Sequence, residues 1–126
     1  MIMMVGTNMS EAHPVAATFV KDAVLAGAQL IIVDPRRTEM VDFAHLHVQL
    51  KVGSDVALIN GTMNVLINEN LYDKEYVETC TMGFEELKAK VMEYPPERAA
   101  EISGVPADTI RDLARRLAST KPAMLM

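Results

Sequence analysis

Residues 1–35 read MIMMVGTNMSEAHPVAATFVKDAVLAGAQLIIVDP, an order that sets the expected topology. Met1–Val5 is a continuous apolar run, which is typical of a buried strand in a parallel sheet. Pro14 suits the first position of a helix, and Gly27 suits its end. Leu30–Val33 is a second apolar run that predicts a second strand. Together these elements predict a right-handed strand–helix–strand unit with parallel strands.

The helical segments carry apolar residues at helical spacing, which predicts their buried faces. For the helix after Pro14 the expected buried stripe is Val15, Ala16, Phe19, Val20, Ala23 and Val24. Ser54 is expected to cap a further helix, whose expected stripe is Val56, Ile59, Met63, Leu66 and Ile67. The last helix begins near Pro106 and is expected to bury Ile110, Leu113, Ala114 and Leu117.

The remaining segments complete an α/β pattern. His45–Leu50 alternates between apolar and polar residues, which predicts a half-exposed edge strand. Residues 70–104 are expected to form short helices, with Asp73 and Thr81 as caps, Pro96 in a first turn and Gly104 as a stop. Ala123–Met126 is expected to be a fourth strand. We therefore predict a single α/β domain over residues 1–126, a Rossmann-like three-layer sandwich with about four parallel strands in the order 3-2-1-4.

Composition excludes several classes of protein. The chain has 126 residues, is 50% hydrophobic, and carries 12 basic against 17 acidic residues for a net charge of −5. This balance argues against a nucleic-acid binder or a polybasic membrane-surface protein. A single cysteine, Cys80, excludes an internal disulfide and is expected to be buried. No signal peptide or membrane span is visible, so a cytoplasmic location is expected.

Three polar loops should meet at the carboxyl ends of the parallel strands, where open α/β sheets bind ligands. They are Gly6–His13 after the first strand, Asp34–Glu39 after the second, and Gly53–Asp55 after the third. Their residue types suit a nucleotide, because a glycine turn, a helix start and arginine side chains all accommodate phosphate.

Each candidate also has a simpler interpretation. Gly6 could admit a phosphate or only permit a tight turn, and Asp34 could bind ribose or only cap the following turn. Arg36 and Arg37 could fork onto phosphate or face solvent. Asp34 or Asp55 could accept two hydrogen bonds from guanine. The signal for an ordinary dinucleotide fold is weak because the first loop lacks G-x-G-x-x-G.

The histidines and Ser54 have structural interpretations that outweigh catalytic ones. His13 is expected to begin a helix and bond to backbone, and His45 and His47 are expected to be exposed strand residues. Ser54 is expected to be a helix cap rather than a nucleophile. We therefore predict no catalytic residue and no metal ligand in this chain.

The motifs resemble those of the molybdopterin oxidoreductases, the dimethyl sulfoxide reductase family. Residues 5–14 (VGTNMSEAHP) resemble its G-(S/T/Y)-N-x-x-(E/D)-x-H-P segment, and residues 33–39 (VDPRRTE) resemble its D-P-R-x-(T/S) turn. Residues 52–58 (VGSDVAL) resemble its G-(S/T)-(D/N)-x-A-(L/I) helix start. Residues 69–73 and 102–111 match as well. Within the family, the resemblance leads us to expect a formate dehydrogenase alpha subunit first and a periplasmic-type nitrate reductase next.

The resemblance implies a role in holding one guanine dinucleotide arm of a bis(molybdopterin guanine dinucleotide) cofactor that carries molybdenum or tungsten. The cofactor-binding residues that it nominates, with their loop neighbours, are Gly6, Thr7, Asn8, Glu11, Asp34, Pro35, Arg36, Gly53, Ser54 and Asp55. The parent protein would oxidise formate to carbon dioxide and pass two electrons to a 4Fe–4S cluster.

The family's iron–sulfur cysteines, its molybdenum-ligating Cys or selenocysteine and its catalytic histidine have no counterpart here. The chain is therefore expected to be a fragment that is inactive alone. Its expected partners are the remaining domains of the parent subunit and electron-transfer subunits, without nucleic acid and without direct membrane insertion.

Two other functions fit the same pattern. The chain could belong to a non-catalytic scaffold, such as the large iron–sulfur subunit of respiratory complex I. It could also be a stand-alone nucleotide-dependent enzyme or a receiver-like regulatory domain. The full polar set in all three loops argues against a scaffold, and apolar strands at both ends of the chain argue against a self-contained domain.

Overall fold

The computed structural model describes every residue, Met1–Met126. The chain divides into two compact units, one formed by Met1–Leu50 with Thr120–Met126 and the other by Lys51–Ser119. The assignment of the whole chain to one domain stays a prediction. None of the helices has both the length and the hydrophobicity that crossing a lipid bilayer requires.

The first unit contains a four-stranded parallel sheet in the order β3-β2-β1-β4, which confirms the predicted order 3-2-1-4. Its strands are β1 (Ile2–Val5), β2 (Leu30–Val33), β3 (Leu46–Val48) and β4 (Met124–Leu125). Its helices are α1 (Met9–Ala12), α2 (Pro14–Leu25) and a 3₁₀ helix (Glu39–Phe43). Val5 pairs with Val33, and Val33 pairs with Val48, so three strands end at the same level.

The core of this unit lies between one sheet face, α2 and the 3₁₀ helix. Its buried residues are Met4, Met9, Ala17, Val20, Leu30, Ile32, Met40 and Val41. The predicted stripe of α2 is only partly right, because Val15 and Phe19 are 72% and 70% exposed while Ala17 is buried. Residues on most sides of α2 are apolar, so spacing alone did not fix which side packs inward.

The second unit is helical. It contains α3 (Asp55–Asn68), α4 (Lys74–Cys80), α5 (Phe84–Val91), α6 (Pro96–Ser103) and α7 (Ala107–Ser119). Asp73 caps α4 as predicted, since its carboxylate accepts the Tyr76 amide at 2.9 Å. Thr81 does not cap the next helix: it ends α4, and Gly83 precedes α5. Gly104 ends α6 with a φ of 75°, a left-handed conformation that glycine adopts without strain.

The predicted stripe of α3 is only partly right: Ile67 is buried and Met63 and Leu66 are half-buried, but the first two residues of the stripe are not buried. Val56 and Ile59 are exposed, and the buried residues are Ala57, Leu58, Gly61, Thr62, Asn64, Val65 and Ile67. Gly61 faces α6, and a Cβ added at Gly61 would lie 2.5 Å from the Cβ of Ala99. In α7, Ile110, Leu113 and Ala114 are buried as predicted and Leu117 is half-buried, because the charged residues leave one apolar side.

Cys80 is exposed, so the prediction that it is a buried apolar residue was wrong. It is the last residue of α4, a short helix without any buried residue. Such a helix offers no buried position for a small apolar side chain.

An ion pair joins the end of α3 to α7. Arg115 donates from Nε and an Nη to the two carboxylate oxygens of Glu69, at 3.0 Å and 2.8 Å. These hydrogen bonds hold the pKa of Glu69 below its ordinary value of 4.5 and raise the pKa of Arg115. A lowered carboxyl pKa stabilises the fold above the ordinary pKa, and this contribution is lost as the pH falls through the lowered value.

We expect the Glu69→Gln variant to be less stable than the parent chain at pH 7 and to match it once the pH has fallen below the lowered pKa of Glu69. The reason is that acid protonates Glu69 in the parent chain, whereas glutamine has no charge to lose. Urea midpoints at pH 7 and at a pH below that pKa measure the difference. The matched control is Glu78→Gln, which changes an exposed glutamate that forms no ion pair. Equal acid sensitivity of the Glu69→Gln variant and the parent chain would contradict the prediction.

Candidate functional site

A polar cleft of about 270 Å³ lies where the loops after β1 and β2 meet. It is lined by Asn8, Ser10, Glu11, Arg36, Arg37, Thr38 and Glu39. Both loops leave the sheet at the carboxyl ends of neighbouring parallel strands, which is where α/β sheets bind ligands. The prediction that these two loops converge is therefore confirmed by the geometry of the first unit.

The first loop turns sharply at Gly6. Its φ is 61°, and its amide donates to the carbonyl of Val33 at 2.9 Å, which ties the start of the loop to β2. A Cβ added at Gly6 would meet nothing within 4 Å, so conformation rather than crowding favours glycine. The space above its backbone is therefore open to a ligand. Asn8 then occupies the N-cap position of α1 without using its side chain as a cap.

The second loop is built around Asp34, which is 2% exposed. Its Oδ1 accepts the amide of Arg36 at 2.7 Å and lies 3.6 Å from the Arg36 Nε. The interpretation of Asp34 as the cap of the following turn is thus confirmed. The second carboxylate oxygen makes no hydrogen bond within the chain, so a role in ligand binding stays a prediction.

Three buried oxygen atoms of cleft residues have no hydrogen-bond partner. They are Oδ1 of Asn8, Oγ of Ser10 and Oγ1 of Thr38. An unpartnered buried polar atom costs about 1–3 kcal/mol, and folded proteins satisfy nearly all such atoms. Three of the four such atoms in the chain belong to residues that line this cleft, an arrangement that suits a polar ligand.

Some charged side chains around the cleft form short ion pairs, whereas one arginine does not. Arg37 pairs with Asp42 at 2.5 Å, and Glu39 pairs with Lys21 at 2.9 Å. Arg36 is 68% exposed and has only the longer contact with Asp34. Arg36 is therefore the arginine that can turn toward an anion, whereas Arg37 is committed to its own ion pair. The structure contains no group of His, Cys, Asp and Glu side chains arranged to hold a metal ion.

The predicted site residues fall into three sets. Asn8, Glu11 and Arg36 line the cleft, while Gly6, Thr7, Asp34 and Pro35 lie in its two loops but not in its lining. Gly53, Ser54 and Asp55 belong to the second unit, so their participation in the same site stays a prediction.

Around the start of α3, Gly53 has a φ of 81°, and Ser54 Oγ donates to the carbonyl of Lys51 at 2.6 Å. Ser54 therefore occupies the N-cap position but does not cap α3 with its side chain. Asp55 is exposed in the first turn of the helix.

Sequence reasoning passed over Ser10 and Thr38, which contribute two of the three unpartnered oxygens. Both lie inside the loops that were expected to converge, but hydroxyl residues are common in loops and carry little signal by themselves. Their burial, which tertiary packing creates, distinguishes them from solvated hydroxyls.

His47 in β3 and His45, which directly precedes that strand, also differ from expectation. His45 is exposed as predicted, but its Nδ1 accepts the amide of Leu30 at 3.2 Å. His47 is half-buried rather than exposed, and its Nε2 lies 3.1 Å from the carbonyl oxygen of Asp34. His13 is exposed at the start of α2, where its carbonyl accepts the amide of Ala17.

A parallel sheet of order 3-2-1-4 with a polar cleft at its carboxyl edge defines a Rossmann-like α/β protein. The profile of the molybdopterin oxidoreductase family matches residues 1–126. The chain therefore belongs to the molybdopterin oxidoreductase family. Membership implies a molybdopterin cofactor that carries molybdenum or tungsten. It also groups the chain with the oxidoreductases as a class, without assigning a particular reaction.

Individual relatives agree with this assignment. The chain is 44% identical over 126 residues to acetylene hydratase of Syntrophotalea acetylenica, covering 98% of the chain and 17% of the relative. It is 41% identical over 126 residues to formate dehydrogenase H of Escherichia coli strain K12, covering 100% and 18%. The solved structure of acetylene hydratase from Pelobacter acetylenicus superposes with a TM-score of 0.91 at 43% identity, covering 98% of the chain and 17% of that structure. The chain thus spans about a sixth of the relatives it matches.

Proposed function

We propose that the cleft binds the guanosine diphosphate portion of a molybdopterin guanine dinucleotide cofactor. The observation that carries this proposal is the set of three unpartnered buried oxygens beside the cleft. Family membership implies a molybdopterin cofactor, and the polar cleft supplies groups that suit the nucleotide end of such a molecule.

The chemistry of the cleft residues fits a phosphorylated ligand. The hydroxyls of Ser10 and Thr38 can donate to phosphate oxygens, and the Arg36 guanidinium can donate from two nitrogens at once. The Asn8 Oδ1 can accept only, so it suits a ribose hydroxyl or a base N–H. Phosphate oxygens next to ribose and base donors would satisfy all three orphaned atoms, which a purely anionic or a purely apolar ligand would not.

Asp55 of the second unit is a separate candidate for guanine recognition. Asp55 presents an exposed carboxylate, which can accept the N1–H and the amino group of guanine together. Adenine lacks this pair of donors, so the carboxylate of Asp55 would favour guanine.

We further propose that the parent protein is a formate dehydrogenase, and the similarity to formate dehydrogenase H supports this. When bound, the cofactor would supply the metal at which formate is oxidised to carbon dioxide and a proton, with the two electrons passing on through a 4Fe–4S cluster. This chain would hold and orient the nucleotide end and would not be catalytic alone. The remaining domains of the parent and electron-transfer subunits would be its partners, in the cytoplasm.

The similarity to acetylene hydratase supports a second candidate, an enzyme that uses the same cofactor arm for hydration. Both candidates assign the same task to this chain. Formate-dependent dye reduction and acetylene hydration by the full-length parent distinguish them. Absence of molybdenum and tungsten from that purified parent would instead favour a scaffold.

Titration of the chain with GDP, followed by backbone amide shifts, tests the nucleotide proposal. The expected shifts are at Ser10, Arg36 and Thr38, with weaker effects from ADP at the same concentration. Shifts confined to other surfaces, or the absence of any shift at millimolar GDP, would overturn the proposal.

We expect the Thr38→Val variant to bind GDP about fivefold more weakly and yet to unfold at a higher urea concentration. The substitution keeps the shape of the side chain and removes an unpartnered buried hydroxyl, so it stabilises the free chain by about 1 kcal/mol. GDP titration and urea unfolding measure the two effects. Thr18→Val is the control, because the Thr18 hydroxyl already donates to the Val15 carbonyl. A Thr38→Val variant that is less stable than the parent chain would contradict the prediction.

A further inference from the structure

The turn after β2 is held from the side of β3. The carbonyl oxygens of Asp34 and Pro35 face two side chains, His47 Nε2 at 3.1 Å and Gln49 Nε2 at 2.9 Å. Residues two apart in an extended segment point to the same side, so His47 and Gln49 reach consecutive carbonyls of one turn. We call this pair of side chains the edge-strand clamp.

The clamp completes a set of bonds that fixes the turn. The amide of Asp34 donates to the carbonyl of Val48 at 3.3 Å, and the carboxylate of Asp34 accepts the amide of Arg36 at 2.7 Å. A carbonyl oxygen can only accept, so the His47 Nε2 carries the proton in this contact. Together the four bonds restrain Asp34 and Pro35 and determine where Arg36 leaves the backbone.

We propose that His47 and Gln49 are positioning residues for the nucleotide site, which hold the Asp34–Arg36 turn in its ligand-binding conformation. This inference rests on the proposed function of the cleft. Neither side chain lines the cleft, so each acts through the turn rather than on the ligand. The chemistry is specific: each position needs an N–H donor aimed at a carbonyl.

Substitutions that remove the donor test the clamp. His47→Ala and Gln49→Glu should each weaken GDP binding about fivefold, as expected for loss of one hydrogen bond. Each should also raise the hydrogen-exchange rate of the Arg36 amide about fivefold, because that amide is protected by the turn. Gln49→Glu keeps the size of an exposed side chain, so it leaves folding intact while placing an acceptor against a carbonyl.

The His47→Gln variant should restore both the GDP affinity and the slow exchange of the Arg36 amide. The reason is that its amide nitrogen can occupy the position of the histidine Nε2. A structural role that depends on ring packing would not be rescued by this change. His45→Ala is the matched control: it removes a histidine–backbone bond at the other end of β3. It should change neither the GDP affinity nor the exchange of the Arg36 amide.

Measuring both the GDP affinity and the exchange rate of the Arg36 amide distinguishes failure of this inference from failure of the proposed function. If the parent chain does not bind GDP, the nucleotide proposal fails, and exchange of the Arg36 amide still decides whether the clamp holds the turn. If the parent chain binds GDP but His47→Ala and Gln49→Glu leave affinity and exchange unchanged, the clamp is overturned. Loss of GDP affinity in His45→Ala to the same extent would also overturn it.

Discussion

Replacing Asp34 with alanine is expected to weaken GDP binding by about 10- to 100-fold and to lower the free energy of unfolding by about 1–3 kcal/mol. Asp34 is the most buried charged residue of the chain, and its carboxylate holds the Arg36 amide and faces the Arg36 guanidinium. Hydrogen bonds to a charged group contribute about 1.5–3 kcal/mol, roughly twice the contribution of neutral ones. Removal of the carboxylate should therefore release both the turn and its arginine.

Calorimetric titration with GDP and urea unfolding measure the two effects. Asp42→Ala is the matched control, since Asp42 lies near the same loop but is 62% exposed and pairs with Arg37 at the surface. An exposed ion pair contributes little, so this control should lose less than about 1 kcal/mol. Asp34→Asn keeps an acceptor for the Arg36 amide and should retain most of the stability. If Asp34→Ala and Asp42→Ala behave alike, Asp34 does not organise the site.

The second large effect is expected in the helical unit, where Gly61→Ala should destabilise the chain by about 1–3 kcal/mol. An alanine normally stabilises a helix by up to about 1 kcal/mol relative to glycine. Here its methyl group would lie 2.5 Å from the Cβ of Ala99 and 3.5 Å from the Cγ2 of Ile110. The Cβ of alanine is fixed to the backbone, so α3 and α6 must separate to admit the methyl group. The cost of overpacking thus exceeds the gain in helix propensity.

Urea unfolding of Gly61→Ala, Ala99→Gly and the double variant tests this contact. The double variant moves a methyl group from one helix to the other, so it should be more stable than the sum of the single effects predicts, by about 0.5–3 kcal/mol. Asn60→Ala is the control for helix propensity, because it changes the neighbouring residue of α3. Additive single effects would show that Gly61 and Ala99 do not compete for the same space.

The sequence predicted the two loops of the cleft well and their individual residues less well. Asn8, Glu11 and Arg36 were nominated and do line the cleft. Ser10 and Thr38 were missed because a hydroxyl in a loop becomes informative only when packing buries it without a partner. His47 was expected to face solvent, since alternation along a strand reveals its side of the sheet but not the carbonyl beside it.

What the sequence alone determined is the order and pairing of the strands and the positions of the longer helices; it did not predict the short helix α1 or the 3₁₀ helix. Short apolar runs closed by glycine or Asp-Pro are local signals, and the handedness of crossovers then permits few strand orders. Tertiary structure decided which faces of α2 and α3 are buried, because both helices carry apolar residues on several sides and more than one face could pack. In α7 the charged residues leave a single apolar side, and there the sequence was sufficient. Burial of Ser10 and Thr38 and the clamp by His47 depend on chain segments far apart in sequence, and only folding brings these together.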